Sequence, residues 1–194
     1  MPAGERRESI LEAATAVFGE RGYVGTTTDA VAKAAGVSQP YVVRMFGTKE
    51  QLFLEVLQRA LDRLLATFRG VIAEHGPGGK EALGALIGNA YADLLRDRGL
   101  LLSLMQAFML GADPVIGPAA RAGLLEVYAV LRDEAGFTSD EADAFLSHGM
   151  MLNTLVAIGM AGSYETDPSA RELIDACAPS KAPLIVRLAK QHRA

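Results

Sequence analysis

With 194 residues, half of them apolar, the chain can bury one large core or two smaller ones. Its formal net charge of −4 argues against a protein that coats nucleic acid indiscriminately, and its single cysteine, Cys177, excludes an internal disulfide and offers no metal cluster. No apolar run is long enough to span a bilayer, and the opening MPAGERRES lacks the apolar stretch of a signal peptide, so no membrane partner and a cytoplasmic location are expected. Within residues 1–50, six basic side chains (Arg6, Arg7, Arg21, Lys33, Arg44, Lys49) balance six acidic ones. Any contact of this part with nucleic acid must therefore rest on local placement of charge.

Apolar residues recur at helical spacing almost everywhere, and no alternating run flanked by turn signals reads as a strand, so an all-α fold is predicted. Ile10, Leu11, Ala14, Val17 and Phe18 make the face of a first helix that stops at Gly22. A second, short helix over about 27–35 takes Thr26 as its N-cap, with Asp29 returning the bond, and turns Val31 and Ala32 inward before Gly36 ends it. Ser38 caps a third over about 38–46, where Pro40 is tolerated in the first turn. Thr48 and Gln51 repeat the capping pattern before a long fourth helix. Its stripe runs through Leu52, Phe53, Val56, Leu57, Leu61, Leu64, Leu65 and Phe68 toward Gly70. The Gly- and Pro-rich EHGPGGK (74–80) is a loop, followed by helical segments near 80–97, 99–111, 115–135 and 140–161. Pro168, Pro179 and Pro183 punctuate a tail with room for one or two short helices.

The two short helices are joined by a tight turn at Gly36-Val37 and flanked by helices able to clamp them. This is the helix-turn-helix arrangement, whose second helix enters the DNA major groove N-terminus first. A helix of barely two turns is marginal alone; Val42 and Phe46, four apart, would anchor it to its neighbours and leave Gln39, Tyr41 and Arg44 projecting. Gln pairs bidentately with adenine and Arg with guanine, and Tyr41 offers a ring for a thymine methyl or a hydroxyl for a phosphate. Helix N-termini at Thr26-Thr27 and Thr48-Lys49 present N–H groups suited to phosphate oxygens. Lys49, badly placed for its own helix dipole, is well placed for a phosphate.

The stretch GERRESILEAATAVFGERGYVGTTTDAVAKAAGVSQPYVVRMFGTKEQLF resembles the N-terminal domain of the TetR (tetracycline repressor) family of bacterial regulators over roughly residues 5–65. The matching pieces come in order: Ile10-Leu11 with Ala13-Ala14, Phe18 with Gly22-Tyr23, Thr26-Thr27, Val31-Ala32, Ala35-Gly36-Val37-Ser38, and Phe46-Gly47-Thr48-Lys49-Glu50 with Leu52. The resemblance implies a reading motif at about 27–46 and a regulatory, ligand-binding and dimerising helical domain at 66–194. It also implies a homodimer on a palindromic operator in double-stranded DNA, released by a small ligand. By the same resemblance Thr27 and Lys49 touch phosphates, and Ser38 to Arg44 form the reading surface. Two positions depart from the family pattern: Val43 and Met45 stand where a tyrosine and, two residues on, a histidine or tyrosine are usual. The competing reading is a helical small-molecule-binding protein with weak or lost DNA binding.

In the C-terminal part Gln106, His148 and Asn153 are polar residues inside apolar segments, and each must find a partner in the fold or in a ligand. Tyr91 and Tyr128 stand similarly. Met105 and Met109 are adaptable side chains that fill a core or line a pocket. The apolar character of this part suggests a small hydrophobic or aromatic effector. Gly149, Gly159 and Gly162 suit close helix approach near 144–161, where the resemblance implies dimerisation together with the final helix. The acidic group Asp140, Glu141 and Asp143 suits a helix start. His75, His148 and His192 have no metal-site spacing, and with no nucleophile elbow, phosphate loop or carboxylate pair, neither a cofactor nor an enzyme is expected.

Overall fold

The computed structural model describes residues 3–76 and 80–191. Helices dominate them: α1 (Ala3–Gly25), α2 (Thr28–Ala34), α3 (Gln39–Phe46), α4 (Lys49–His75), α5 (Lys80–Asp93), α6 (Arg98–Met109), α7 (Ile116–Ala129), α8 (Ser139–Ala157), α9 (Pro168–Cys177) and α10 (Ala182–Gln191). No strand occurs among the described residues. A 3₁₀ turn at Leu94–Arg96 separates α5 from α6, and a π-helical turn at Val130–Glu134 extends α7. The middle of the expected loop, 77–79, and His192 lie outside the described residues. No described helix is long and apolar enough to cross a membrane.

The chain forms two compact units, Met1–Arg63 with Asp97–Leu124, and Leu64–Arg96 with Leu125–Ala194. Besides the helix-turn-helix, the first unit takes in α6 and most of α7. Its core is assembled from the apolar faces of α1 to α4: Ile10, Ala14 and Phe18 with Val31, Val42, Leu52, Phe53 and Val56 are fully buried. Phe53 meets the Phe18 ring edge-on at 4.9 Å and the Tyr23 ring at 5.0 Å. Helix α6 joins this core by close backbone approach to α1, because a Cβ on Gly19 would lie 2.5 Å from Gly99 Cα. Gln106 of α6 then donates from Nε2 to the Phe18 carbonyl at 2.7 Å.

Four residues on from Phe18, α1 is interrupted at Gly22, whose φ of +74° only glycine adopts readily. The helix resumes for one turn to Gly25 instead of stopping at Gly22 as expected.

The second unit packs the end of α4 with α5, α8, α9 and α10. Phe68 lies edge-on to Phe145 at 5.7 Å, which in turn meets Phe137 at 6.1 Å. Ile87, Leu131, Leu152, Ile174 and Ile185 complete this core. Helix α8 starts at the acidic group as expected, and there Thr138 and Glu141 form a capping box that the sequence reading had not marked.

Candidate nucleic-acid interface and ligand cavity

The geometry of the first unit begins with caps. Thr27, not Thr26, is the N-cap of α2: its Oγ accepts from Ala30 N–H at 3.1 Å. Thr26 is fully buried, and its hydroxyl donates to the Gly22 carbonyl at 2.7 Å, where α1 is broken. The expected cap was thus one residue early: Thr26 belongs to the last turn of α1, where both its backbone N–H and its hydroxyl donate to the Gly22 carbonyl. Asp29 does not return a capping bond; it pairs with Lys33 at 2.9 Å. The turn after α2 is closed by Gly36 at φ +65°, with Val37 N–H donating to the Ala32 carbonyl at 2.9 Å.

Helix α3 starts at Gln39 with Ser38 in the N-cap position, although the Ser38 hydroxyl makes no capping bond. Val42 is fully buried and Phe46 nearly so, which fixes the inner face. On the other side Ser38, Pro40 and Arg44 are exposed while Gln39 and Tyr41 are half-buried. The Arg44 guanidinium lies 5.1 Å from the centre of the Tyr41 ring, a cation–π pair at the surface. Gln39 donates from Nε2 to Thr28 Oγ at 3.1 Å, tying the two short helices together. Val43, at one of the two departures from the family pattern, is 39% exposed on this surface.

Thr48 and Gln51 cap α4 reciprocally, each bond 3.1 Å. Lys49 turns back on the fold: Nζ donates to the Tyr23 carbonyl at 3.0 Å and sits 4.5 Å from the Tyr23 ring centre. A cation is tolerated in this first turn because it rests at the carbonyl end of α1, where the dipole favours it.

The second unit holds a cavity of about 710 Å³ between α5, α8 and the link from α9 to α10. Of the ligand-pocket candidates read from the sequence, Tyr91 and His148 line it. Asn153 is buried behind the wall, accepting the Tyr91 hydroxyl at 2.8 Å. That burial pushes the Tyr91 pKa far above its ordinary value. Met105, Gln106 and Met109 belong to α6 in the first unit, where Gln106 Nε2 finds its partner at Phe18 while Oε1 is buried without one among the described residues, and Met109 is 75% exposed. Tyr128 bonds Ser139 at 3.0 Å beneath the Arg132 guanidinium and is not part of the lining.

The sequence reading missed Phe137, Phe145, Cys177 and the polar group Asn89, Ser180 and Lys181. A weak signal existed in Gly84 and Gly88, four apart on one face of α5. Cys177 is buried, which raises its thiol pKa. Among the described residues no cluster of His, Cys, Asp or Glu could hold a metal ion.

A short, core-anchored helix presented after a tight turn, within an all-helical chain, defines a helix-turn-helix protein. Residues 10–56 match the model for "Bacterial regulatory proteins, tetR family". The chain is 44% identical over 69 residues to the HTH-type transcriptional activator FasR of Mycolicibacterium smegmatis, covering 36% of this chain and 32% of that one. It is 34% identical over 86 residues to the HTH-type transcriptional repressor KstR2 of Rhodococcus jostii, covering 44% and 42%. The matched stretches thus span less than half the length of these relatives. A TetR-like transcriptional regulator from Rhodococcus sp. RHA1 shares the fold with a TM-score of 0.62 at 21% identity, covering 99% of this chain and 97% of that one. A putative transcriptional regulator from Pseudomonas aeruginosa PAO1 also superposes with a TM-score of 0.62, at 20% identity over 98% and 95%. Residues 10–56 thus match the tetR-family model, and the chain as a whole shares the fold of the two solved regulators.

Proposed function

We propose that the protein is a DNA-binding transcriptional regulator, acting as a homodimer on a palindromic operator, repressing from it and released by a small molecule held in the second unit. The observation that carries this reading is α3: Val42 and Phe46 hold its inner face, leaving Gln39, Tyr41 and Arg44 available to a major groove. Thr27 and Ser38, exposed at the starts of α2 and α3, suit phosphate contacts. Lys49, although bonded to Tyr23, keeps two ammonium hydrogens for the same use.

Dimerisation is supported by the exposed apolar side chains Met150 and Met151 of α8 and Ile158 at its C-cap, with Met150 on the side of the helix opposite the cavity-lining Ala144, His148 and Leu152. Helix α4 is continuous from Lys49 to His75 and contributes to both units. A ligand that prefers one placement of its second half would alter the reading heads, and only that preference, not affinity as such, shifts the balance.

Titration against DNA from the region beside the protein's own gene, with scrambled DNA as control at several salt concentrations, tests the reading. Specific binding that falls steeply with salt is expected. Arg44→Ala should cost about 1–3 kcal/mol on the preferred site and relax base preference there, while Lys49→Ala should weaken all sequences alike and flatten the salt slope. The exposed Val43 favours a second reading, a ligand-binding helical protein that no longer holds DNA tightly. Equal, weak binding to both DNAs with ligand binding intact would select it.

A further inference from the structure

The cavity wall carries its own specification of what fits. Both formal charges on it are already engaged: Lys181 Nζ bonds Asp93 at 2.8 Å, and the Glu141 carboxylate accepts Thr138 N–H at 2.7 Å in the α8 capping box. A ligand carboxylate would have to share Lys181 with Asp93, and a ligand cation would have to share Glu141 with its cap. Neither would meet an opposite charge that is not already engaged.

The rest of the wall is largely aromatic and aliphatic. Phe137, Phe145 and Tyr91 each pack against a helical glycine, with 3.4, 3.8 and 3.5 Å between the nearest ring atom and the place a Cβ would occupy on Gly84, Gly88 and Gly149. Ring edges, not branched side chains, therefore set the width of the cavity, which suits a flat ring system.

His148, exposed on α8, adds a further polar group to the lining. His148 Nε2 bonds the carbonyl of Cys177. A carbonyl only accepts, so the neutral imidazole carries its proton on Nε2 and leaves Nδ1 as an acceptor. Among the described residues Nδ1 has no recorded partner. We propose that the cavity selects an uncharged, ring-bearing apolar molecule whose hydroxyl donates to His148 Nδ1. The proposal rests on the cavity being the effector site.

Three probes of one size separate the chemistries: 2-naphthol as donor, 2-methoxynaphthalene as acceptor only, and 2-naphthoate as anion. Binding is followed by calorimetry and by alkylation of Cys177, which lines the cavity and is the sole cysteine of the sequence, so that an occupant slows the reaction. 2-Naphthol should bind about fivefold to tenfold more tightly than either other probe, a single hydrogen bond's worth, and should protect Cys177. His148→Phe, which keeps a ring and removes Nδ1, should erase that advantage. Unchanged binding of 2-methoxynaphthalene to the variant shows that the cavity is still formed.

The proposal is overturned if 2-naphthoate binds as well as 2-naphthol, if the variant retains the preference, or if no probe protects Cys177. If 2-naphthol binds and protects Cys177 as expected while DNA affinity stays constant, the ligand class stands and the effector reading fails.

Discussion

Glycine brings helices together in both units, with opposite results. In the first, Gly19 of α1 meets Gly99 of α6 backbone to backbone, and a Cβ on either would come within 2.5 Å of main-chain atoms. In the second, Gly84, Gly88 and Gly149 face aromatic rings at ordinary contact distance, and a cavity remains beside those rings. Backbone against backbone closes an interface completely, because nothing stands between the helices. Backbone against a ring edge props them apart by the width of the ring. What a helical glycine does is thus decided by its opposite number, and the same residue serves closure in one unit and a chamber in the other.

The contrast breaks most sharply at Gly99. A Cβ there would sit 2.5 Å from the Thr15 carbonyl oxygen and 2.9 Å from its carbon, atoms of a helix backbone that cannot rotate away. Gly99→Ala should therefore destabilise the protein by about 3 kcal/mol, at the upper end of overpacking costs, despite the higher helix propensity of alanine. Urea denaturation measures it. A neutral result would mean that α1 and α6 are not in backbone contact, and the closed half of the comparison would fall.

The closed interface also explains which parts were readable in the sequence. The helix-turn-helix is specified by short-range signals: Gly36 at a positive φ, Thr48 with Gln51, and Val42 with Phe46 are each a pattern within four residues. Thr26 was misread because α1 resumes for a turn after its break at Gly22 and takes Thr26 into its own bonding, which helical periodicity cannot reveal. Gln106 stood out as a polar residue in an apolar segment, yet the partner of its Nε2 lies 88 residues away in α1. The cavity was legible only at Tyr91 and His148, since its other walls come from α5, the start of α8 and the link after Cys177, which adjoin only in the fold. Methionines suggested a pocket by adaptability alone, and adaptability does not say which side of a helix faces inward.

A smaller effect sharpens the open half. Tyr91 supports the cavity wall through its hydroxyl bond to the buried Asn153. Tyr91→Phe leaves the Asn153 oxygen without that donor and should cost about 1–2 kcal/mol at neutral pH. The wild type carries a pH dependence that the variant lacks. An unfolded tyrosine loses its proton near pH 10, whereas burial holds that of Tyr91 to much higher pH. Above pH ~10 the unfolded state therefore binds fewer protons than the folded one, and stability falls as pH rises. Stability measured from pH 8 to 11 should fall more steeply in the wild type than in Tyr91→Phe. Parallel curves would mean that the hydroxyl is not held in a buried bond.

The smallest change tests the ring side of the comparison directly. A Cβ on Gly88 would lie 3.8 Å from Phe145 Cε2, an ordinary van der Waals contact with nothing else nearer. Gly88→Ala should then stabilise the protein by about 0.5–1 kcal/mol, because alanine loses less backbone freedom in a helix. The same methyl occupies part of the cavity lining, so stability should rise while affinity for a ring-bearing ligand falls. Opposite signs in thermal unfolding and in calorimetric binding would show that Gly88 serves cavity space at the expense of helix stability. If the variant is instead destabilised as Gly99→Ala is expected to be, the Phe145 ring has no freedom to accept the methyl, and the two kinds of glycine contact are in effect one.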